Sequence, residues 1–338
     1  MLKRLLLLGL VLLPLLSVAQ NIDRENFSVK YLRLPKAPLP ENVKTYNKKI
    51  YIPSLSSGQD RSSIESSVKN AMELHGYEEV ESDGDVNIYV SLGTFGYQNR
   101  KFNSEKKETK NKEGKVTTYY EYWYTFEYKY PVRLVIEDKA NGTELYNGFI
   151  SNSQDYSSAS TDRVRKSDQL SNEWNSTVNK MRSDLLSRHL GTISGYISDE
   201  YGFTPSTQYV QLRKIKKFKK FDYEGLNKAC EDTETALSNM EPTMDYLTDD
   251  LKATLEASLA VWEKELSEAD YSEKKARINE KVASVLLNNI AVANYWLARF
   301  DKVSEVIEKA DGLKSDGWTN SMKRDMEDLM ARREANGL

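Results

Sequence analysis

Between Thr117 and Pro131 the chain runs TTYYEYWYTFEYKYP, and this stretch limits its possible folds most sharply. Tyr120, Tyr122, Tyr124, Phe126, Tyr128 and Tyr130 occupy every second position. A period of two belongs to a β-strand, whose successive side chains point to opposite faces. One face therefore carries a row of rings. The other carries Tyr119, Glu121, Trp123, Thr125, Glu127 and Lys129, and its polarity predicts solvation. At the strand rise the row extends about 30 Å, while a four-turn helix covers about 20 Å. A single helix such as the one expected around Ile64 cannot bury it. Part of the row is expected in a core, and the rest along a hairpin that outruns the sheet. A phenol buries its ring and keeps its hydroxyl at a wet edge, and it also stacks on a sugar or peptide. Tyr119, Trp123 and Tyr130 are the candidate ligand contacts, being on the alternate face or at the strand end.

The neighbouring segments predict an α+β domain: a mostly antiparallel sheet with one packed helix and a long hairpin. Phe27, Val29 and Tyr31 alternate as on a strand, but Pro35, Pro38 and Pro40 follow, so residues 20–47 read as an extended lead-in. Lys48 to Ser54 is a short strand. Ser62 and Glu65 have capping-box spacing and predict a helix start. Ile64, Val68, Ala71 and Met72 share one helix face. Gly76 is its natural stop, with His75 in the last turn. Val86, Ile88, Val90 and Leu92 alternate on the next strand. From Arg100 to Lys115 the apolar residues fade among seven basic and three acidic side chains, which predicts a mobile hairpin tip. Val132, Leu134 and Ile136 form a last strand, and Asn141-Gly142 predicts a type I′ hairpin turn.

The order of strand, helix ending in HGYEEVES, strand DGDVNIYVSL, long hairpin and RLVIEDKANGTELYNGFI resembles a domain of unknown function in bacterial envelope lipoproteins. The matching residues are Gly76, Tyr77, Asp85, Val86, Ile88, Leu134, Ile136, Asp138, Gly142, Tyr146 and Gly148. The resemblance covers roughly Lys48 to Ser151. It departs in lacking the lipidation cysteine and in the length of its aromatic hairpin. It implies an envelope address and no reaction.

SNSQDYSSASTD then reads as a linker, and residues 161–338 as a helical domain after an α+β domain at 48–160. Leu170, Trp174, Val178, Met181, Leu185 and Leu186 recur at helical spacing, with His189 in the same element. RKIKKFKKF holds six basic residues between Arg213 and Lys220, expected as a solvated turn facing the acidic helices downstream. Met244, Leu247, Leu251, Leu255, Leu259, Trp262 and Leu266 make an apolar stripe. VLLNNIAVANYWLARFDKVSEVIEKADGL resembles one tetratricopeptide repeat, a helix–turn–helix unit of about 34 residues. Leu287, Ile290 and Ala291 match its first helix, Leu297, Ala298 and Phe300 its turn, and Val303, Ile307 and Ala310 its second helix. Asn294 replaces the usual aromatic and is the candidate partner contact. The resemblance implies a helical-repeat domain that binds protein. Trp318 to Arg333 reads as a polar capping helix.

The first residues, MLKRLLLLGLVLLPLLSVAQ, have the basic, apolar and small-residue regions of a secretory signal peptide. Residues 1–19 are expected to be removed, and no later run is long enough to span a bilayer. The mature chain then carries 46 basic and 51 acidic side chains, a net charge of −5, which argues against nucleic acid as a partner. Cys230 is the single cysteine, so no intrachain disulfide holds the fold, and its acidic neighbours Glu231 and Asp232 predict a buried structural thiol. Two histidines and one cysteine are too few for the usual His/Cys metal sites. No H-E-x-x-H, C-x-x-C, G-x-S-x-G or phosphate loop occurs. The expectation is a non-catalytic exported protein with no cofactor, in the periplasm or on the surface of a Gram-negative bacterium. It would bind another envelope protein or peptide through its helical domain. The alternative is a glycan or peptidoglycan bound on the aromatic hairpin.

Overall fold

A computed structural model describes residues 22–53, 60–216, 221–313 and 317–338. The expected signal peptide and residues 217–220 of the basic run lie outside the described residues. The chain is α+β, as expected. It forms two compact units, and each is assembled from separated stretches of sequence. Arg33–Thr204 with Arg332–Leu338 make an α+β unit. Pro205–Ala331, with the described part of residues 1–32, make a helical unit.

In the α+β unit, β2 (Thr45–Tyr51), α1 (Arg61–Ala71) and β4 (Val86–Leu92) follow one another. A helix between two strands is a crossover, so β2 and β4 pair in parallel rather than antiparallel. The two-residue β3 (Glu78–Glu79) also pairs parallel to β2. On the other side, β7 (Val132–Asp138) runs antiparallel to β4, and β8 (Thr143–Phe149) antiparallel to β7. The sheet order is β3-β2-β4-β7-β8. Val86, Ile88, Val90 and Leu92 alternate into the core as predicted, beside Val132, Leu134 and Ile136. Ile64, Val68 and Met72 of α1 pack in this cluster, and so do Leu190, Ile193 and Ile197 of α2 (Leu170–Glu200).

This burial places α2 with the sheet. The division expected near residue 160 from the change in composition thus differs from the observed one between 204 and 205. The apolar stripe of α2 faces strands that precede it.

Three local expectations are corrected. The cap of α1 is Asp60, whose Oδ1 accepts from the Ser62 amide at 3.0 Å, and not Ser62 itself. The helix closes at Met72, four residues before Gly76. Gly76 serves the following turn: its φ is +92°, and a Cβ there would stand 2.9 Å from the Phe203 ring. His75 accordingly lies beyond the helix, its carbonyl accepting from the Phe203 amide at 2.9 Å. Between β7 and β8, Gly142 takes a positive φ of 68° while Asn141 does not, which rules out a type I′ turn. A four-residue turn forms instead, because the buried Asp138 carboxylate accepts from Asn141 N at 3.0 Å and Asn141 Nδ2 at 2.8 Å.

The long hairpin consists of β5 (Gly96–Lys110) and β6 (Val116–Lys129), joined to β9 (Ser157–Ser160) as a separate three-stranded sheet. Arg100–Lys110, expected as part of a mobile tip, is strand: the ladder continues to the Lys110–Val116 pair. Its apolar residues fade because this end has little core to face, while its backbone pairing is intact. Only a short turn remains, where Asn111 Oδ1 accepts from the Glu113 and Lys115 amides.

In the helical unit β1 (Ile22–Arg33) pairs with β10 (Thr204–Ile215), a strand inside the region expected to be helical. Val29 is fully buried, and Phe27 and Tyr31 pack on the same cluster. Helices α3 (Glu224–Ser238), α4 (Asp249–Leu266), α5 (Glu280–Trp296), α6 (Phe300–Asp311) and α7 (Trp318–Ala335) follow. Every residue of α5 from Val282 to Trp296 is buried. Two of its buried polar side chains serve β10. Asn289 accepts from Arg213 N and donates to Arg213 O, both at 2.9 Å, and Asn288 donates to Gln211 O at 3.1 Å. Asn227 of α3 does the same for Ile215 N and O, at 2.9 and 3.0 Å. Side-chain amides thus replace the ladder a further strand would supply.

Candidate functional site

The aromatic row is buried in a gradient along β6. Tyr130 and Phe126 are 4% and 2% exposed, whereas Tyr120 is 48% exposed. The covering group is Trp174, near the start of α2. It meets Phe126 at 4.8 Å, Tyr97 at 4.9 Å and Tyr124 at 5.8 Å between ring centroids, all edge to face. Arg100 lies 4.8 Å over the Trp174 ring and closes this small core. Beyond it the row is uncovered. Tyr120 and Tyr122 stack at 6.3 Å, and Phe102, 56% exposed, stacks on Tyr122 at 6.0 Å.

The alternate face differs from expectation. Arg165 lies 4.6 Å over Tyr119, and Arg163 lies 4.0 Å over Trp123. Arg163 also bonds Glu105 at 2.5 Å and Glu121 at 3.1 Å, and the Val164 backbone pairs with Tyr122. The chain after β9 therefore covers Tyr119 and Trp123, which are half-buried, and Tyr130 is buried. None of the three is a freely exposed ligand contact. On the six-ring face Phe102 and Tyr120 are exposed, and Tyr122 between them is half-buried.

The helical unit holds a groove of about 830 Å³ between α3 and α4. At its base, Ser258 Oγ donates to Ala229 O at 3.1 Å and Trp262 Nε1 donates to Leu226 O at 3.3 Å, tying the helices together. Thr248 caps α4 by accepting from Leu251 N at 3.2 Å. Above that base the facing residues are small. Ala253, Ala257 and Val261 stand at i, i+4 and i+8 on an exposed stripe of α4, opposite Ala236 of α3. The rim carries Asp232, Glu241, Asp245 and Asp250 against Lys228, which is itself tied to Asp232.

Asn294 is not in this groove. It is 2% exposed, its amide donates to Ile290 O at 3.0 Å, and its carbonyl accepts from Arg299 N at 2.9 Å. It shapes the turn from α5 to α6 and cannot meet a partner. The run of small residues in α3 and α4 was the available sequence signal for the groove. Cys230 is buried, donates to Arg213 O at 3.3 Å and accepts from Asn289 at 3.1 Å. Burial pushes its thiol up to about 12. In the basic run, Lys214 meets Glu231 of α3 at 3.5 Å and Glu25 at 3.6 Å. Among the described residues there is no group of three or more His, Cys, Asp or Glu that could hold a metal ion. Nor is any helix among them long and apolar enough to cross a membrane.

No protein-family model matches the chain, and no curated protein matches it. Among solved structures, a minor lipoprotein of Acinetobacter baumannii aligns at 11% identity over 47% of this chain and 93% of its own, with a TM-score of 0.19. A homolog of a neuraminyllactose-binding hemagglutinin from Helicobacter pylori aligns at 10% identity over 48% and 95%, with a TM-score of 0.23. A PDZ domain protein of Parabacteroides distasonis aligns at 11% identity over 58% and 40%, with a TM-score of 0.20.

Proposed function

We propose that this chain is a non-catalytic exported envelope protein, periplasmic or surface-held in a Gram-negative bacterium, that holds a segment of another envelope protein. The observation that carries the proposal is the α3–α4 groove: a floor of small apolar side chains under a rim of four carboxylates and one lysine. Such a groove suits an amphipathic segment whose apolar side enters and whose basic residues meet the rim. The short turn from α5 to α6 supports the repeat-like reading of this unit. No cofactor, metal or nucleic acid enters the proposal.

The test is to fill the groove. Envelope extract is passed over the full mature chain and over Ala257→Trp, with circular dichroism confirming that both are folded. A stoichiometric protein held by the first and released by the second is expected. Equal retention by both would end this reading.

A second reading, glycan binding on the hairpin, is favoured by one observation: the exposed rings of Phe102 and Tyr120 both stack on the half-buried Tyr122. It predicts quenching of tyrosine fluorescence by a peptidoglycan or surface-polysaccharide fragment, lost in Phe102→Ala with Tyr120→Ala. An unaltered response in that double variant would exclude the stack.

A further inference from the structure

A second concavity, about 400 Å³, opens in the α+β unit where the buried end of the aromatic row meets α2. Tyr128 and Lys129 line it from the end of β6, Tyr130 from just beyond it, Arg188 and His189 from α2, and Asp155 from the turn before β9. His189 is 7% exposed, and among the described residues neither ring nitrogen has a hydrogen-bond partner. Its ring nitrogens are thus left to whatever occupies the cleft. The cations beside it are also unclaimed by any carboxylate. Arg188 Nε donates only to Asp184 O, at 3.4 Å, and Lys129 rests 4.5 Å over the Tyr156 ring. Asp155 bridges neither. The wall opposite holds Ser151 and Asn152, two consecutive non-glycine residues at φ 50° and 52°. Backbone held in that region often marks a site that something else stabilises.

We propose that this cleft binds a small ligand through an oxyanion, a carboxylate or a phosphate, held by Arg188, Lys129 and the ring N–H of His189. The oxyanion supplies an acceptor to three donors that no carboxylate meets. Ser151, Ser157 and Thr192 line the same cleft and meet the hydroxyls of the ligand body. Burial first, and the Arg188 charge second, hold the imidazole below its ordinary 6.5. A bound anion opposes both, so binding takes up a proton and tightens as pH falls. The charged and titratable groups that line the cleft with His189 are Arg188, Lys129, Asp155, Tyr128 and Tyr130.

The full chain has two histidines, so each imidazole resolves by NMR, His189→Gln assigns the signals, and His75 is the internal control. Inorganic phosphate, glucuronate and neutral glucose are titrated in turn. A saturable shift of His189 alone with one or both anions, and none with glucose, is expected. The tighter anion identifies the oxyanion of the ligand. Arg188→Gln and Lys129→Gln should each weaken binding about tenfold. No saturable shift with either anion, or undiminished affinity in the Arg188→Gln/Lys129→Gln double variant, would overturn the proposal.

Discussion

At the residue scale, Asp85 shows what a short motif contributes. Its Oδ2 accepts from Lys44 N at 2.8 Å, Thr45 N at 2.9 Å and Thr45 Oγ1 at 3.0 Å, pinning the start of β2 beside β4. The Lys44 amide first, then the Thr45 amide and hydroxyl, hold its carboxyl below the ordinary 3.8. A depressed folded value means stability that is present above pH 3.8 and lost as pH falls through the folded value. Asp85→Asn is therefore expected to cost about 1 kcal/mol near neutrality. Thermal melts from pH 7 to pH 2 should show the gap to the parent constant down to about pH 5 and shrinking below. A gap that stayed constant to pH 2 would deny Asp85 this role. Asp85, Asp138 and Gly142 were legible from the sequence as a folding motif, because their chemistry is local. Asn294 and His189 were not, because a polar residue on a helix does not say whether its face meets water, a turn or a cleft.

At the scale of elements, the aromatic hairpin and α2 make one device. The sequence predicted correctly that the ring row exceeds what one helix covers, and the burial gradient from Tyr130 to Tyr120 bears this out. It could not predict that the covering helix is α2, not α1. Period and stripe say that Trp174 and Val178 need an apolar partner, but any sheet face can provide one. Trp174→Ala removes the ring that meets Phe126, Tyr97 and Tyr124 and should destabilise the α+β unit by about 3 kcal/mol. Hydrogen exchange should then speed up across Phe126 and Tyr128 before it does in β4. Tyr120→Ala, at an exposed ring, should stay within about 0.5 kcal/mol of the parent. Equal effects of the two substitutions would refute the gradient as an energetic one. The amides of Asn227, Asn288 and Asn289 are a related lesson. NN in an apolar helix reads as a flaw until the backbone of β10 is placed beside it.

At the scale of the whole molecule, neither unit is contiguous in sequence. Composition located a change near residue 160, but contact decides otherwise: β1 joins the helices, and Arg332–Leu338 join the α+β unit. Within that unit Arg332 donates to Leu34 O at 2.6 Å and pairs with Asp199 at 2.6 Å, as Arg33 and Lys36 also do at 2.9 and 2.6 Å. A fragment of residues 205–338 is thus expected to expose the surface that Val29, Phe27 and Tyr31 cover, and to bind a hydrophobic dye. Adding a peptide of residues 22–33 should displace the dye and raise the melting temperature. A fragment that melts as sharply without the peptide would show that β1 is dispensable.

The pairing of β1 with β10 also has a consequence in time. A chain made from its N-terminus releases β1 about 170 residues before its partner strand exists. For that interval β1 is an orphan edge with alternating apolar side chains, the form most prone to pair with a stranger. The intervening α+β unit must be completed before the waiting strand is claimed. The helical unit is therefore the last part of the molecule to mature, although its first strand is among the earliest residues synthesised.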